Sequence, residues 1–394
     1  MPDSKIAVGV VGAGAMGSGI AQVAAAAGHR VVLGDANPAG VSKALASIGQ
    51  SLARDVEKGR LDRGAADAVL ANITDAGDLS LGFEAYAACG LVIEAVIEEL
   101  GVKRALFSAL ENVVRGDCIL ASNTSSLSVA AIAAGCANAA RVVGIHFFNP
   151  APVMPLVEIV PAITTSTAVL DAATRLVAAW KKTTVVASDT PGFIVNRIAR
   201  PFYSESLRQL EEHIADPATI DWAMRDLAGF RMGPFELMDF IGNDVNYAVT
   251  VSVFDAFYQD SRYRPALTQR RLVDAGLLGR KSGRGYYDYR DGAEKPEPTR
   301  DAELGQAIVD RTLAMLVNSA VDAVHMHVAS AADVETSMTR GVNYPKGLLA
   351  WGDEIGPPVI LQRLEALRAE YGEERYRASP LLRQRVRDGR SLLA

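Results

Sequence analysis

A run of 23 residues near the start of the chain, from Ile6 to Gly28, contains no charged side chain. This length would be enough to span a bilayer, which takes about 20 apolar residues. However, the run contains six glycines and divides into a β-branched segment, 6–11, and an alanine-rich segment that follows Gly14. A strand, a glycine-rich turn and a helix fit this division best, and a membrane span or export signal is the less favoured alternative.

The turn in this run is Gly12-Ala13-Gly14-Ala15-Met16-Gly17, which has the spacing GxGxxG. The first glycine permits a tight turn, the second lets a pyrophosphate approach the backbone, and the third lets helix and strand pack closely. Asp35 ends the next predicted strand, 18 residues after Gly17. A carboxylate there accepts hydrogen bonds from an adenosine ribose and repels a 2′-phosphate, so the sequence predicts an NAD site. A surface turn with a solvated aspartate is the alternative.

Short β-branched segments alternate with longer helical ones through the first half of the chain. The predicted strands are 6–11, 31–34, 91–95, 119–122, 142–146, 157–160 and 184–188, and helices are predicted at 39–58 and 103–114. This alternation predicts an α/β Rossmann domain over residues 1–188, with a doubly wound, mostly parallel sheet. A hydrophobic content of 49% is typical of a folded chain, and a net charge of −6 disfavours a nucleic-acid partner.

Helical patterns dominate after Pro191, and they occur twice. Residues 194–245 align without a gap with residues 308–359, and 12 of the 52 pairs are identical. This repeat predicts an all-α C-terminal domain in two tandem copies, 189–290 and 303–394, joined by a charged linker, 291–302. Asn196 pairs with Asp310, so the second copy is degenerate and need not share the chemistry of the first.

A histidine and a glutamate are candidates for proton transfer. His146 ends an apolar strand, at the edge where parallel sheets bind ligands, and histidine ordinarily titrates near neutral pH. A structural histidine is the alternative. Glu158 interrupts an apolar strand, and a buried carboxylate needs a partner, so we expect it to orient His146. The alternative for Glu158 is an edge-strand residue that faces water.

The segment SNTSSL, 122–127, follows another predicted strand and precedes a helix. Serine, threonine and asparagine are common helix N-caps, and capping alone would explain this composition. The functional alternative is that one hydroxyl faces the same crevice as His146. The sequence leaves both interpretations open.

These segments together resemble the L-3-hydroxyacyl-CoA dehydrogenase family. The similarity covers nearly all of residues 5–290, and its most specific blocks are HFFNPAPVMPLVEIV (146–160) and DTPGFIVNR (189–197). Two segments of the second helical copy, GVNYPKGLLAWGDEIG and YGEERYRASPLLR, are similar to 3-hydroxyadipyl-CoA dehydrogenases of phenylacetate catabolism. The resemblance implies NAD-dependent oxidation of an (S)-3-hydroxyacyl-CoA, such as 3-hydroxyadipyl-CoA or 3-hydroxybutyryl-CoA, in fatty-acid or aromatic-acid β-oxidation.

The resemblance also implies roles for individual residues. His146 would remove the hydroxyl proton, Glu158 would orient His146, Ser125 would hydrogen-bond the substrate, and Asn196 would position the acyl thioester. The positions that match NAD contacts are Gly12, Gly14, Ala15, Met16, Gly17, Asp35, Glu98, Lys103, Ser125, Asn149 and Lys281. Those that match coenzyme A contacts are Ser51, Lys58 and Ser125. Without the resemblance, each of these lysines would be interpreted as a solvated surface charge.

Other functions stay open at this point. One alternative is an NAD-dependent dehydrogenase of a free hydroxy acid or a carnitine-like substrate, for which Ser51 and Lys58 would have no coenzyme A to bind. Another is a non-catalytic NAD-binding protein. The three cysteines have no metal-site or disulfide-framework spacing, so we expect no metal and a cytoplasmic location, without nucleic-acid or membrane partners. We expect a monomer with an internal pseudo-dimer, or a homodimer.

Overall fold

The computed structural model describes residues 6–37 and 39–394, so the first five residues of the predicted 1–188 domain lie outside the described part. It divides into two compact units, Met1–Thr190 and Pro191–Ala394. The division falls at the proline where the sequence pattern changes from alternating strands and helices to helices.

The described part of the first unit contains one eight-stranded sheet with six α-helices. The strands are β1 (Ala7–Val11), β2 (Val31–Gly34), β3 (Ile73–Asp75), β4 (Cys89–Glu94), β5 (Ile119–Ser122), β6 (Val142–Phe147), β7 (Leu156–Pro161) and β8 (Thr183–Val186). The helices are α1 (Ala15–Ala26), α2 (Gly40–Glu57), α3 (Arg63–Ala71), α4 (Leu100–Val113), α5 (Val129–Ala133) and α6 (Thr167–Ala179). The strand order is β3-β2-β1-β4-β5-β6-β7-β8, and only β6 and β7 run antiparallel among these neighbours.

The predicted Rossmann architecture is confirmed, and one strand was missed. All seven predicted strands occur, with ends that differ by at most two residues. The missed strand, β3, has three residues and a single buried side chain, Ile73, at the edge of the sheet beside β2. A segment this short shows no hydrophobic period, because the hydrogen bonds of its neighbour, rather than its own side chains, hold it in the sheet.

The second unit is helical. Its helices are α7 (Val195–Ile198), α8 (Arg200–Glu211), α9 (Pro217–Trp222), α10 (Pro234–Ile241), α11 (Asn243–Ala256), α12 (Leu267–Asp274), α13 (Ala302–His325), α14 (Ala331–Gly341), α15 (Leu348–Ile355), α16 (Pro357–Tyr371) and α17 (Pro380–Asp388). A π-helical turn, Ala223–Leu227, continues α9.

The repeat in the sequence has a counterpart in this unit. Helix α15 begins and ends 114 positions after α10, and α14 lies 114 positions after α9 with its π-helical turn. Asp221 accepts hydrogen bonds from the first amides of α10, and Glu335, its counterpart, does the same for α15. Gly242 and Gly356, which follow α10 and α15, have φ angles of 103° and 100°, in the region that favours glycine.

Ion pairs link the two helical segments reciprocally. Arg197 binds Asp322 of α13 at 3.2 Å. Its repeat counterpart, Arg311, binds Glu205 of α8 at 3.0 Å and Glu212 at 2.6 Å. Glu205 is only 1% exposed, so its charge depends on these partners rather than on water.

We expect Arg311→Met to lower the free energy of unfolding of the chain by about 3 kcal/mol, because it leaves the buried charge of Glu205 without its closest guanidinium. Urea denaturation followed by circular dichroism measures this change. Arg387→Met, which removes an exposed arginine of α17, is the matched control. A loss no larger than that of the control would show that the ion pair between α8 and α13 does not stabilise the unit.

The uncharged run near the start forms β1, the glycine turn and α1. Among residues 6–37 and 39–394, no helix combines the length and the apolar character needed to cross a bilayer.

Candidate active site

The glycine turn between β1 and α1 has the geometry that its spacing predicts. Gly12 has a φ of 104°, and a Cβ atom there would lie 2.4 Å from the carbonyl oxygen of Ala95. A Cβ atom on Gly17 would lie 1.7 Å from the carbonyl oxygen of Gly12, so helix and turn are packed too closely for any side chain. Gly14 differs, because a Cβ atom there would meet no atom within 4 Å. The open space lies at the N-terminus of α1, where a pyrophosphate would be held by backbone N–H groups.

Asp35 directly follows β2 and faces this turn. Its Oδ2 atom accepts a hydrogen bond from the amide of Ala13 at 2.6 Å, and its Oδ1 atom accepts one from the amide of Asn37 at 2.8 Å. A carboxylate oxygen has two lone pairs, so both atoms can still accept hydrogen bonds from ribose hydroxyls. The glycine turn, the N-terminus of α1 and Asp35 therefore fit an NAD molecule.

We expect Asp35→Asn to raise the Kd for NAD about tenfold, because hydrogen bonds from the ribose to a charged acceptor become bonds to a neutral one. The preference for NAD over NADP should fall as well, since the charge that repels a 2′-phosphate is removed. Titration of the protein with each cofactor measures both effects, and Asp67→Asn on the exposed side of α3 is the control. An unchanged preference would contradict the assignment of Asp35 to the ribose.

His146 and Glu158 form the second part of the site. The antiparallel pairing of β6 with β7 places the two residues directly opposite each other, and His146 Nδ1 lies 2.7 Å from Glu158 Oε2. His146 is 5% exposed and Glu158 is fully buried. Because β7 lies between β6 and β8, Glu158 is not a water-facing residue of an edge strand, and that alternative is wrong. Glu158 holds the tautomer in which Nδ1 carries a proton, so Nε2 is the atom that suits proton acceptance.

The segment after β5 is held by two glutamates. Ser122 Oγ donates to Glu94 Oε2 at 2.6 Å. Glu98 Oε1 accepts hydrogen bonds from the Thr124 hydroxyl at 2.6 Å and from the Ser125 amide at 3.1 Å. Helix α5 is capped by other residues, namely Ser128 and Asp189, so helix capping does not explain the SNTSS segment.

Lys103 differs most from what the sequence suggests. A lysine of this kind would be interpreted as a surface charge, yet Lys103 is 1% exposed, and its Nζ lies 2.5 Å from Glu94 Oε1 and 3.2 Å from Glu98 Oε2. The pKa of Glu98 is lowered: burial alone would raise it, but the charge of Lys103 and the hydroxyls of Thr124 and Ser126 outweigh burial.

The remaining predicted site residues lie on other elements. Asn149 follows β6 and precedes Pro150 through a cis peptide bond. Ser51 lies in α2, and Lys58 caps the C-terminus of that helix two turns later, so the two share one helix face. Asn196 is half-buried in α7, and Lys281 pairs with Asp244 at 2.6 Å, both within the second unit.

Several residues of the site escaped the sequence interpretation. Glu94 carries the same signal as Glu158, a carboxylate inside an apolar strand, and could have been found by the same argument. Asn123 Oδ1 accepts a hydrogen bond from the amide of Phe147 at 2.9 Å, next to His146. Lys182 donates to the carbonyls of Ala151 and Met154 in the loop between β6 and β7. Asn123 lies in the SNTSSL segment, whose composition had marked the segment but not this contact, whereas no sequence signal marked Lys182.

Two family models match the chain. The model for the NAD-binding domain of 3-hydroxyacyl-CoA dehydrogenase matches residues 7–190, and the model for its C-terminal domain matches residues 192–289 and 308–392. The chain belongs to the 3-hydroxyacyl-CoA dehydrogenase family. It is therefore an NAD-dependent oxidoreductase, and the C-terminal model matches each of the two repeated helical segments.

The chain is similar to enzymes of this family along its whole length. It is 41% identical to the 3-hydroxyadipyl-CoA dehydrogenase of Escherichia coli K12, with 96% of this chain and 97% of that protein covered. It is 43% identical to the 3-hydroxybutyryl-CoA dehydrogenase of Bradyrhizobium diazoefficiens over 74% of this chain and 98% of that protein. The crystal structure of a 3-hydroxybutyryl-CoA dehydrogenase of E. coli K12 superposes with a TM-score of 0.91 and 39% identity, covering 98% of this chain and 99% of that one.

Proposed function

We propose that this dehydrogenase oxidises (S)-3-hydroxyacyl-CoA to 3-oxoacyl-CoA, with His146 as the general base. The observation that carries the assignment of the base is the buried pair of His146 Nδ1 and Glu158 Oε2, 2.7 Å apart, in the same unit as the NAD-binding turn. The pair combines a group that can accept a proton at Nε2 with a carboxylate that stabilises the resulting imidazolium.

The reaction separates a proton and a hydride from one alcohol. His146 takes the proton of the 3-hydroxyl group, and Glu158 keeps the ring oriented and compensates its new charge. Ser125, in the turn that follows β5, would hydrogen-bond the substrate oxygen, and Asn196 would position the thioester. NAD, when bound, supplies the acceptor for the hydride from C3.

Coenzyme A recognition is assigned to one face of α2. Ser51 and Lys58 lie two turns apart, and the exposed Lys58 ammonium suits an anionic group such as a coenzyme A phosphate. The alternative function is a dehydrogenase of free hydroxy acids or carnitine-like substrates, which carry no coenzyme A for Ser51 and Lys58 to bind. The test compares (S)-3-hydroxybutyryl-CoA with free 3-hydroxybutyrate. We expect turnover of the thioester alone and a raised KM in Lys58→Ala, whereas equal turnover of both would favour the alternative.

The choice of acyl group rests on the two segments of the second helical copy that are similar to 3-hydroxyadipyl-CoA dehydrogenases. One relative of the same extent is named 3-hydroxyadipyl-CoA dehydrogenase, whereas the solved structure that covers 98% of this chain and a shorter relative are both named 3-hydroxybutyryl-CoA dehydrogenase. We propose 3-hydroxyadipyl-CoA as the preferred substrate, in the catabolism of aromatic acids such as phenylacetate. A comparison of kcat/KM for the two thioesters and for longer acyl chains tests this choice, and a higher value for an uncharged chain would contradict it.

Domain limits and assembly belong to the same proposal. We divide the chain into an NAD-binding domain, 1–188, a helical substrate domain, 189–290, a linker, 291–302, and a second, degenerate helical copy, 303–394. The reciprocal pairs of Arg197 and Arg311 support an internal pseudo-dimer of the helical copies. We therefore expect light scattering to give the mass of one chain, whereas a dimer joined through the first copy, with the second undocked, would contradict this assembly.

A cytoplasmic location is part of this proposal as well. Cys89, Cys118 and Cys136 are free thiols in the structure. Burial raises the pKa of Cys89 and of Cys136 to about 11. Free, unreactive thiols are typical of a reducing compartment.

A further inference from the structure

We infer that Lys103 is a positioning residue that fixes the turn 122–126, and thereby Ser125, relative to His146. The inference rests on the proposed function of Ser125 and His146. It concerns a buried cation and two carboxylates, which together hold both ends of this turn.

The first link runs through Glu94. Lys103 Nζ lies 2.5 Å from Glu94 Oε1, and both side chains are almost completely buried. The other oxygen of Glu94 accepts the Ser122 hydroxyl at 2.6 Å, and Ser122 Oγ accepts the amide of Thr124 at 3.2 Å. The start of the turn is therefore connected to Lys103 by a continuous chain of hydrogen bonds.

The second link runs through Glu98. Its Oε2 atom lies 3.2 Å from Lys103 Nζ, and its Oε1 atom accepts the Thr124 hydroxyl, the amides of Ser125 and Ser126, and the Ser126 hydroxyl. Hydrogen bonds to a charged acceptor are stronger than neutral ones. Glu98 thus holds the end of the turn that carries Ser125, and Lys103 holds Glu98.

The turn is also joined to the strand that carries the base. Asn123 Oδ1 accepts the amide of Phe147, the residue after His146, at 2.9 Å, and the amide of Asn123 donates to the carbonyl of Glu94 at 2.8 Å. A turn fixed by Glu94, Glu98 and Asn123 has a defined position relative to the end of β6. Positional errors of about 1 Å in an active site can cost roughly 100-fold in rate.

Lys103 is anchored by its two carboxylate partners. Lys103 is 1% exposed, and its ammonium already contacts two carboxylates, so its charge is compensated inside the protein. Glu98, whose side chain is 37% exposed, is the most exposed member of this cluster.

The first test compares Lys103→Met with Lys103→Arg at saturating NAD. For Lys103→Met we expect kcat at saturating NAD to fall about 10- to 100-fold, and we expect Lys103→Arg to recover much of the kcat. Lys43→Met, on the exposed side of α2, is the matched control. A raised Kd for NAD with an unchanged kcat would overturn the inference and make Lys103 a cofactor ligand.

The second test does not depend on turnover. Ser122→Ala cuts the link through Glu94 and retains the pair of Glu94 and Lys103, so it remains informative if Lys103→Met does not fold. In the NAD-free protein we expect amide hydrogen exchange in a peptide covering 122–128 to accelerate about tenfold in Ser122→Ala, and no change in Ser108→Ala on the exposed side of α4. Unchanged exchange in Ser122→Ala would overturn the inference, even if the wild-type enzyme oxidises 3-hydroxyacyl-CoA as proposed.

Discussion

His146→Gln should lower kcat for 3-hydroxyacyl-CoA oxidation by about 10²- to 10⁴-fold, the range that a general base typically contributes. Glutamine can keep a hydrogen bond at this position, but it cannot accept the hydroxyl proton at neutral pH. Binding of NAD should change little, because the groups that fit the cofactor are the glycine turn and Asp35. Steady-state kinetics with saturating NAD measures the loss of kcat, and a cofactor titration measures the Kd.

The loss of kcat in His146→Gln distinguishes a general base from a histidine that only stabilises the fold. His29 offers a control, because its Nδ1 also makes a hydrogen bond, which it donates to the carbonyl of Ile6 at 2.9 Å, just before β2. We expect His29→Gln to retain kcat. A variant at His146 that loses stability but keeps kcat within tenfold of wild type would contradict the role of His146 as the base.

Glu158→Gln should lower kcat about 10³-fold. The neutral amide does not stabilise an imidazolium, and its NH₂ group can donate to Nδ1, which would favour the tautomer that carries the proton on Nε2 and cannot accept another there. Kinetics under the same conditions as for His146→Gln measures the effect. Because the two residues act on one proton transfer, the double variant should be hardly slower than His146→Gln alone.

Comparing the loss of kcat in the double variant with the losses in the two single variants tests whether Glu158 acts through His146. If Glu158 served only to stabilise β7, its loss would lower the unfolding midpoint and leave kcat of the folded enzyme unchanged. If it acted independently of His146, the two losses would multiply. Either result would contradict the assignment of Glu158 as the partner of the base.

Most of the sheet could be predicted because its strands are buried on both faces and therefore show continuous apolar segments. Strand β3 could not, because two of its three side chains are exposed and its place in the sheet depends on backbone pairing with β2. Glu158 was predictable and the burial of Lys103 was not, because the two residues lie in different kinds of element. A carboxylate inside an apolar strand stands out in sequence, whereas a lysine on an amphipathic helix is indistinguishable from a solvated one until its partners are known.

The second half of the chain shows what a repeat can and cannot reveal. The offset of 114 residues in the sequence reappears in the ends of α10 and α15. The reciprocal contacts of Arg197 with Asp322 and of Arg311 with Glu205 were not predictable, since the two carboxylates do not occupy equivalent positions of the repeat. Contacts between the two helical copies depend on which helix faces pack together. The sequence identity between the copies does not reveal which faces these are.

The most direct test of the account is consumption of NADH with acetoacetyl-CoA. The enzyme should oxidise NADH and form (S)-3-hydroxybutyryl-CoA in equal amounts, and free acetoacetate should give no reaction. Failure to consume NADH with any 3-oxoacyl-CoA, in a folded preparation that binds NADH, would contradict the assignment of this chain as a 3-hydroxyacyl-CoA dehydrogenase.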